Sequence, residues 1–275
     1  ITQEDRHTHA GIGNLPFPTK QDLRDKYPSG RQAVPTSESV RIHASSDTTG
    51  NPTSVGYTRR DLGIWQESIA RCLTAYGITR NDIFSVGYGY GLFTGGLGAH
   101  YGAEYVGATV IPTSTGNTEK HVRLIRDLGI TGIACTPSYA LYLAETIEKM
   151  GVDAKQLKLR VGMFGAEPWT ENMRKEIENR LHLNAYNCYG LSEIMGPGVA
   201  HECECKNGSH ILEDHYYPEI ISPETLQPLP YGETGELVFT TLTKEGMPLL
   251  RYRTKDLTSL IEGECECGRT NVRMT

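Results

Sequence analysis

The chain has 275 residues, 38% of them hydrophobic, and a formal charge of −6, enough apolar material for one large core or two ordinary ones. Its mildly acidic, evenly spread charge gives no footing for a nucleic acid or an anionic membrane as partner, and no apolar run approaches the roughly 18 residues needed to cross a bilayer. The opening residues, ITQEDRHTHA, lack the apolar stretch of a secretory leader, so a cytoplasmic protein is expected.

Residues 1–39 are polar and rich in Pro, Ser and Gly; they read as a lead-in with one short helix near Lys20–Lys26. Val40–His43 follows as a strand. A helix begins at Thr58, where Asp61 three residues on makes a capping box, and Leu62, Trp65, Ile69, Cys72, Leu73 and Tyr76 share one helical face. Strands are expected at Ile83–Val86, Val106–Ile111, Ile130–Cys135 and Val161–Phe164. Helices are expected at Thr118–Leu128, Ser138–Met150 and Thr170–Leu181. This alternation predicts an α/β architecture with mainly parallel strands flanked by helices. After about Tyr189 the style changes to strand-like runs at Tyr216–Ile221, Glu236–Thr241, Leu249–Tyr252 and Leu257–Ile261, joined by turn-rich loops. They predict an appended antiparallel β region over about 200–275, within one domain spanning 40–275.

The most informative stretch is Ser45-Ser-Asp-Thr-Thr-Gly-Asn-Pro-Thr53. Hydroxyls and a glycine clustered in a turn after a strand offer side-chain and backbone donors to phosphate oxygens. The same composition also suits an ordinary Ser/Thr turn. It is not the G-x-x-x-x-G-K-[ST] phosphate loop, which disfavours a Walker-type ATPase.

That segment resembles the S-S-G-T-T-G-x-P-T loop of adenylate-forming enzymes, and four further stretches follow in the order of that family. Tyr88-Gly-Tyr-Gly-Leu-Phe-Thr-Gly-Gly96 resembles the aromatic–glycine segment of phenylacetate–CoA ligases. Gly165-Ala-Glu-Pro168 matches the turn beside the adenine. Tyr189-Gly-Leu-Ser-Glu193 is similar to Y-G-x-T-E, and Tyr252-Arg-Thr-Lys-Asp256 to Y-R-T-G-D, with Lys255 where glycine is usual. Five motifs in order are far more specific than any one alone, and the likeness runs from about Leu15 to the last residue.

The resemblance implies ATP-binding roles for Ser45, Ser46, Asp47, Thr48, Thr49 and Gly50, for Gly165, Ala166, Glu167 and Pro168, and for Tyr189, Gly190, Ser192, Glu193 and Asp256. It gives Glu193 and Thr48 the catalytic roles, Glu193 holding Mg²⁺ and Asp256 the ribose hydroxyls. Carboxylates suit both a hard cation and vicinal hydroxyls. Tyr88, Tyr90, Phe93, Gly95, Tyr139 and Gly190 are the implied acyl-pocket residues. Aromatic faces beside glycines suit a flat arylacetate better than a long acyl chain, although the same aromatics also suit a packed core. Asp47 departs from the family glycine and sets a carboxylate beside a polyanion. Like charges 4 Å apart repel by about 1 kcal/mol in water and by about 4 kcal/mol at an effective dielectric of 20, so weakened ATP binding is expected.

Seven cysteines cannot all pair with one another. Cys72, Cys135 and Cys188 stand singly, as buried thiols do. Cys203/Cys205 and Cys265/Cys267 form two C-x-C pairs, which in a cytosolic chain read as metal ligands. A similar pattern in a subset of phenylacetate–CoA ligases implies Cys203, His210, Cys265 and Cys267 as a structural zinc set. Cys205 and His201 are rivals by proximity, and thiols without metal are the plain alternative. His215 reads as a hydrogen-bonded structural residue.

The function implied is ATP-dependent activation of phenylacetate or a close aryl acid to an acyl-adenylate, then to the CoA thioester, with AMP and pyrophosphate released. The partners expected are the aryl acid, ATP and coenzyme A, with homodimers the usual assembly for soluble enzymes. The family's small C-terminal domain and its lysine are expected beyond Thr275, which makes this chain the large N-terminal part. Two alternatives stand: a catalytically impaired relative that binds nucleotide and aryl acid, and an adenylating enzyme with an acceptor other than CoA.

Overall fold

The computed structural model of the chain describes residues 12, 13, 15–45 and 51–275. Among these, the helices are α1 (Lys20–Arg24), α2 (Arg59–Ala75), α3 (Thr94–Val106), α4 (Thr118–Leu128), α5 (Pro137–Lys149) and α6 (Glu171–Leu181). The strands are β1 (Arg41–Ala44), β2 (Ser54–Tyr57), β3 (Ile83–Val86), β4 (Thr109–Ile111), β5 (Gly132–Cys135), β6 (Val161–Phe164), β7 (Asn184–Leu191) and β8 (Gly196–His201). They continue with β9 (Ser209–Ile211), β10 (Tyr216–Ile221), β11 (Gly235–Thr241), β12 (Tyr252–Thr258), β13 (Leu260–Ile261) and β14 (Arg273–Met274). The chain divides into two compact units, one of Ile1–Gly63, Ser192–Ile194 and His210–Thr275, the other of Ile64–Leu191 and Met195–Ser209.

The second unit is α/β. Its strands lie in the order β8-β7-β6-β5-β3-β4, parallel from β4 to β7, with β8 antiparallel to β7. Every residue of β5 and β6 is buried, as expected of strands covered on both faces, and their continuous apolar runs are why they were legible in the sequence. Local chemistry sets the helix boundaries. Asn117 accepts from Lys120 N to start α4, which ends at Gly129 with φ 64°. Thr136 accepts from Tyr139 N and Pro137 opens α5, a good N-cap followed by a proline that needs no amide partner. Val122, Ile125, Ile133, Leu143, Phe164 and Ile177 are fully buried in the core between helices and strands.

Two features of this unit correct the sequence reading. Val106–Ile111 is not one strand: Val106 closes α3, Gly107 takes φ 92°, and β4 begins at Thr109. The preceding Thr94–Val106 helix went unread because glycine is the poorest helix former after proline. Burial overrides that penalty. A Cβ on Gly98 would stand 2.6 Å from the Trp65 ring, and one on Gly102 would stand 2.1 Å from Ile69 Cγ2. The glycines let the α3 backbone approach α2 closely.

In the first unit, β1 and β2 form an antiparallel pair in which Ala44 faces Ser54. The capping box at the start of α2 is present, with Thr58 N donating to Asp61 Oδ2 (3.0 Å) and Asp61 N to Thr58 Oγ1 (3.1 Å). Strands β10, β11 and β12 make an antiparallel sheet, and β13 pairs with β14. Here too the expected boundaries shift. Leu249–Tyr252 is not a strand, because Arg251 takes a left-handed φ of 51° and breaks the extended path, and β12 runs from Tyr252 to Thr258 instead. The expected Leu257–Ile261 strand is split, with Leu257 ending in β12 and only Leu260–Ile261 in β13.

Candidate active site

In the α/β unit the strand order reverses direction at β3. The chain passes from β3 outward to β4 and then returns across β3 to β5. Ligands of open α/β sheets bind at such a switch point, beyond the carboxyl ends of the strands. Three segments singled out in the sequence begin at these ends: Tyr88–Phe93 after β3, Thr136–Tyr139 after β5 and Gly165–Pro168 after β6.

Hydrogen bonds fasten the three segments together. Gly87 N donates to Ala134 O at 2.8 Å. The Tyr88 hydroxyl donates to Cys135 O at 2.7 Å and lies 3.5 Å from Gly165 O. Glu167 accepts from Ser138 N at 2.6 Å, a carboxylate at a helix N-terminus, where backbone donors are unpaired. Glycine is required here by close approach: a Cβ on Gly165 would lie 2.3 Å from Cys188 O, and one on Gly190 would lie 1.8 Å from Gly196 O. Ala166 holds φ 71°, a conformation costly for a residue with a side chain and one that concentrates at ligand sites.

The candidate pocket aromatics divide by role. Tyr88 is buried, and its hydroxyl is spent on the β3–β5 link. Tyr90 bonds His100 Nδ1 at 3.0 Å, and burial pushes its phenol up. Phe93 meets Tyr88 edge-on at 6.2 Å, and its ring fills the space where a Cβ on Gly95 would stand, 2.3 Å away. Tyr139 is half-buried and stacks on His121, with ring centres 6.0 Å apart.

The sequence reading missed a buried polar relay behind Tyr139. Its hydroxyl is 3.1 Å from His121 Nδ1, His121 Nε2 is 2.7 Å from Ser85 Oγ, and Ser85 Oγ is 2.9 Å from Thr113 Oγ1. Thr113 Oγ1 then donates to Val86 O at 2.9 Å. Burial lowers His121 to about 4, so its imidazole is neutral at pH 7. A signal was available: Thr118, His121, Val122 and Ile125 are the buried face of α4, a helical stripe that includes a histidine.

Tyr189 lies on β7 of the second unit; the first unit holds the other candidates. Ser46, Asp47, Thr48, Thr49 and Gly50 lie outside the described residues. Flanking them, Ser45 N donates to Thr53 O at 3.0 Å and Thr53 N donates to Ser45 Oγ at 3.1 Å. Glu193 is nearly buried. Its Oε1 accepts no hydrogen bond and stands 3.4 Å from Lys20 Nζ. A buried carboxylate oxygen held by an ion pair and by no hydrogen bond fits a hard cation. Behind it Lys244 donates to Glu193 O at 3.1 Å and to Ile194 O at 2.6 Å, and burial lowers its ammonium to about 7. Asp256 is exposed on β12. Its neighbours Arg253 and Lys255 both reach Glu236 instead, at 2.6 and 3.4 Å. Lys255, where the resembled motif has glycine, takes φ 70°.

The same unit brings His210, Cys265 and Cys267 together, with ligand atoms within 4.8 Å of one another and His210 Nε2 3.5 Å from Cys267 Sγ. Ligand bonds of roughly 2.0–2.3 Å in a tetrahedral zinc site put neighbouring ligand atoms about 3.5 Å apart, so this set fits the ion. Gly268, with φ 82°, donates its N–H to Cys265 O at 2.8 Å and closes the Cys-x-Cys turn. Cys203 belongs to the second unit, where it is buried and its carbonyl accepts from Lys206 N at 3.0 Å. Of the two rivals, His201 directs Nδ1 to Glu202 O at 2.7 Å, and neither it nor Cys205 belongs to the metal-competent group among the described residues.

Comparison with known proteins gives the chain a family. A family model described as AMP-binding enzyme matches residues 12–242. The chain is 59% identical over 253 residues to the phenylacetate-coenzyme A ligase of Pseudomonas putida, covering 92% of this chain and 58% of that protein. It is 56% identical over 277 residues to the phenylacetate-coenzyme A ligase of Escherichia coli K12, covering 100% of this chain and 63% of that protein. Among solved structures it is similar to 2-hydroxyisobutyryl-CoA ligase in complex with 2-HIB-AMP and CoA in the thioesterification state. That match has a TM-score of 0.94 and 28% identity over 99% of this chain and 60% of that one. The chain thus spans about three fifths of the relatives it matches.

Proposed function

The chain belongs to the AMP-binding enzyme family, and on that premise we propose that the protein carrying it activates phenylacetate with ATP and passes the acyl group to coenzyme A. One observation carries this reading: the aromatic–glycine segment, the Thr136–Tyr139 loop and the Gly165–Pro168 turn all start at the carboxyl ends of β3, β5 and β6, beside the switch point. The phenylacetate carboxylate attacks the α-phosphate of ATP, the bond to the β-phosphate oxygen breaks, and pyrophosphate leaves. The CoA thiol then displaces AMP from the acyl carbon and gives up its proton. This chain's residues contribute positioning and charge placement, the main sources of rate in such transfers. The segments after β3 and β5 hold the aryl ring, Gly165–Pro168 flanks the adenine, and Asp256 takes the ribose hydroxyls. Glu193 holds Mg²⁺, which when bound neutralises phosphate charge.

The structural zinc ion takes His210, Cys265 and Cys267. The sequence supplies Cys203, seven residues before His210, as the fourth ligand. Metal analysis of purified protein should give about one zinc per chain, with a closed set of four ligands. Loss of zinc from Cys203→Ser but not from Cys205→Ser supports that ligand set, and the reverse pattern replaces Cys203 with Cys205.

The experiment for the activity is AMP release by the full-length protein with phenylacetate, ATP, Mg²⁺ and CoA, each omitted in turn. Release that needs all four supports the ligase. Asp47 favours a second reading, a relative that binds its ligands without turnover. A folded, zinc-loaded protein that releases no AMP would establish that reading instead.

A further inference from the structure

Lysine is almost never buried without a reason, because removing an ammonium from water costs several kcal/mol unless its donors are met. Lys244 is 5% exposed. Its sequence context, Thr243-Lys-Glu-Gly-Met247, reads as a turn in which lysine would ordinarily point to solvent. Instead its ammonium donates to the carbonyls of Glu193 and Ile194 and stands 4.8 Å from the centre of the Tyr57 ring. The Tyr57 hydroxyl in turn donates to Ser192 O at 3.2 Å. Three consecutive carbonyls, those of residues 192, 193 and 194, are therefore held by buried donors.

The lysine is itself held by its backbone. Asp61, fully buried at the start of α2, accepts from Glu245 N at 2.7 Å and from Gly246 N at 2.8 Å. Gly246 lies so close to β2 that a Cβ there would stand 2.4 Å from Gly56 O. The clamp is thus anchored at both ends within one unit.

We propose that Lys244 is a positioning residue: by fixing the backbone of Ser192–Ile194 it sets the place from which the Glu193 carboxylate engages the magnesium of Mg·ATP. The inference rests on the reading of Glu193 as the magnesium-holding carboxylate. It assigns Lys244 no contact with substrate. Its sign separates it from a charge effect, since removing a cation near Glu193 would by Coulomb's law strengthen divalent-ion binding. Loss of positioning weakens it.

The test is calorimetry of ATP binding to the full-length protein, with and without Mg²⁺, in buffer otherwise lacking divalent cations. The quantity read is the gain in ATP affinity that Mg²⁺ confers. Lys244→Met should lose about tenfold or more of that gain, the usual scale for a group that orients a metal ligand, while ATP affinity without Mg²⁺ stays as in the parent. Glu193→Ala should lose the gain as well. A Glu193→Ala protein that keeps it removes the magnesium reading and this inference together. Loss in Glu193→Ala with an intact gain in Lys244→Met overturns the clamp alone. Should Lys244→Met not fold, Tyr57→Phe keeps the ring beside Lys244 and removes the bond to Ser192 O. A partial loss of the gain then supports the clamp, and an unchanged gain rejects it.

Discussion

The Tyr139 hydroxyl donates its proton to Nδ1 of the buried His121, 3.1 Å away. The direction follows from the far end of the relay. Val86 O can only accept, so Thr113 donates to it, Ser85 donates to Thr113, and His121 Nε2–H donates to Ser85. This leaves Nδ1 as a lone pair that needs a donor, and the opposite tautomer would leave two oxygens 2.9 Å apart with no proton between them. Tyr139→Phe keeps the ring and strands that buried nitrogen, at a cost of about 1–3 kcal/mol. Urea unfolding should show it as a lower midpoint at unchanged slope.

The same histidine predicts a pH dependence of stability. Burial lowers His121 to about 4 in the folded chain, against an ordinary value near 6.5. Its contribution is fully present above about pH 6.5, where both states are neutral, and declines as pH falls toward 4 while only the unfolded chain takes up the proton. The full loss is roughly 3 kcal/mol. His121→Gln should flatten the urea-midpoint profile between those two pH values. A profile as steep as the parent's would assign the loss to other groups.

Lys255 holds the left-handed backbone that glycine takes without cost. Its ion pair to Glu236 is made from a side chain 61% exposed and is worth little, and Arg253 remains to pair with Glu236. Lys255→Gly relieves about 1–2 kcal/mol of backbone strain and returns about 0.4–1 kcal/mol to the entropy of the unfolded chain. The expected result is equal or slightly higher stability, by up to about 1 kcal/mol, measured by thermal unfolding.

Asp47 lies outside the described residues, so its prediction rests on chemistry alone. A carboxylate beside phosphate oxygens is repelled by about 1–4 kcal/mol per charge pair, depending on the local dielectric. Asp47→Gly should bind ATP at least about fivefold more tightly in calorimetry, and equal affinity would remove Asp47 as an impairment.

Part of this fold was legible because its signals are local. Ile83–Val86, Thr118–Leu128 and Val161–Phe164 match their expected bounds, each marked by an apolar run or stripe between turn residues. The capping pair Thr58–Asp61 was readable for the same reason, since three residues separate its partners. Thr94–Val106 was not, because its glycines argue against a helix until Trp65 and Ile69 are known to press against them. The β12 bounds depend on a left-handed Arg251, for which arginine carries no signal.

The motif order and residue chemistry by themselves determined the family, the α/β alternation, and the two Cys-x-Cys pairs as candidate metal ligands. Each of these depends on side-chain type and spacing, which the chain carries without folding. Only tertiary structure decided that Tyr88 spends its hydroxyl between β3 and β5, that His121 sits neutral behind Tyr139, and that Lys244 turns inward beneath Glu193. A hydrogen-bond partner dozens of residues away is set by which strands become neighbours. The protonation of a buried group is set by how much water its neighbours exclude.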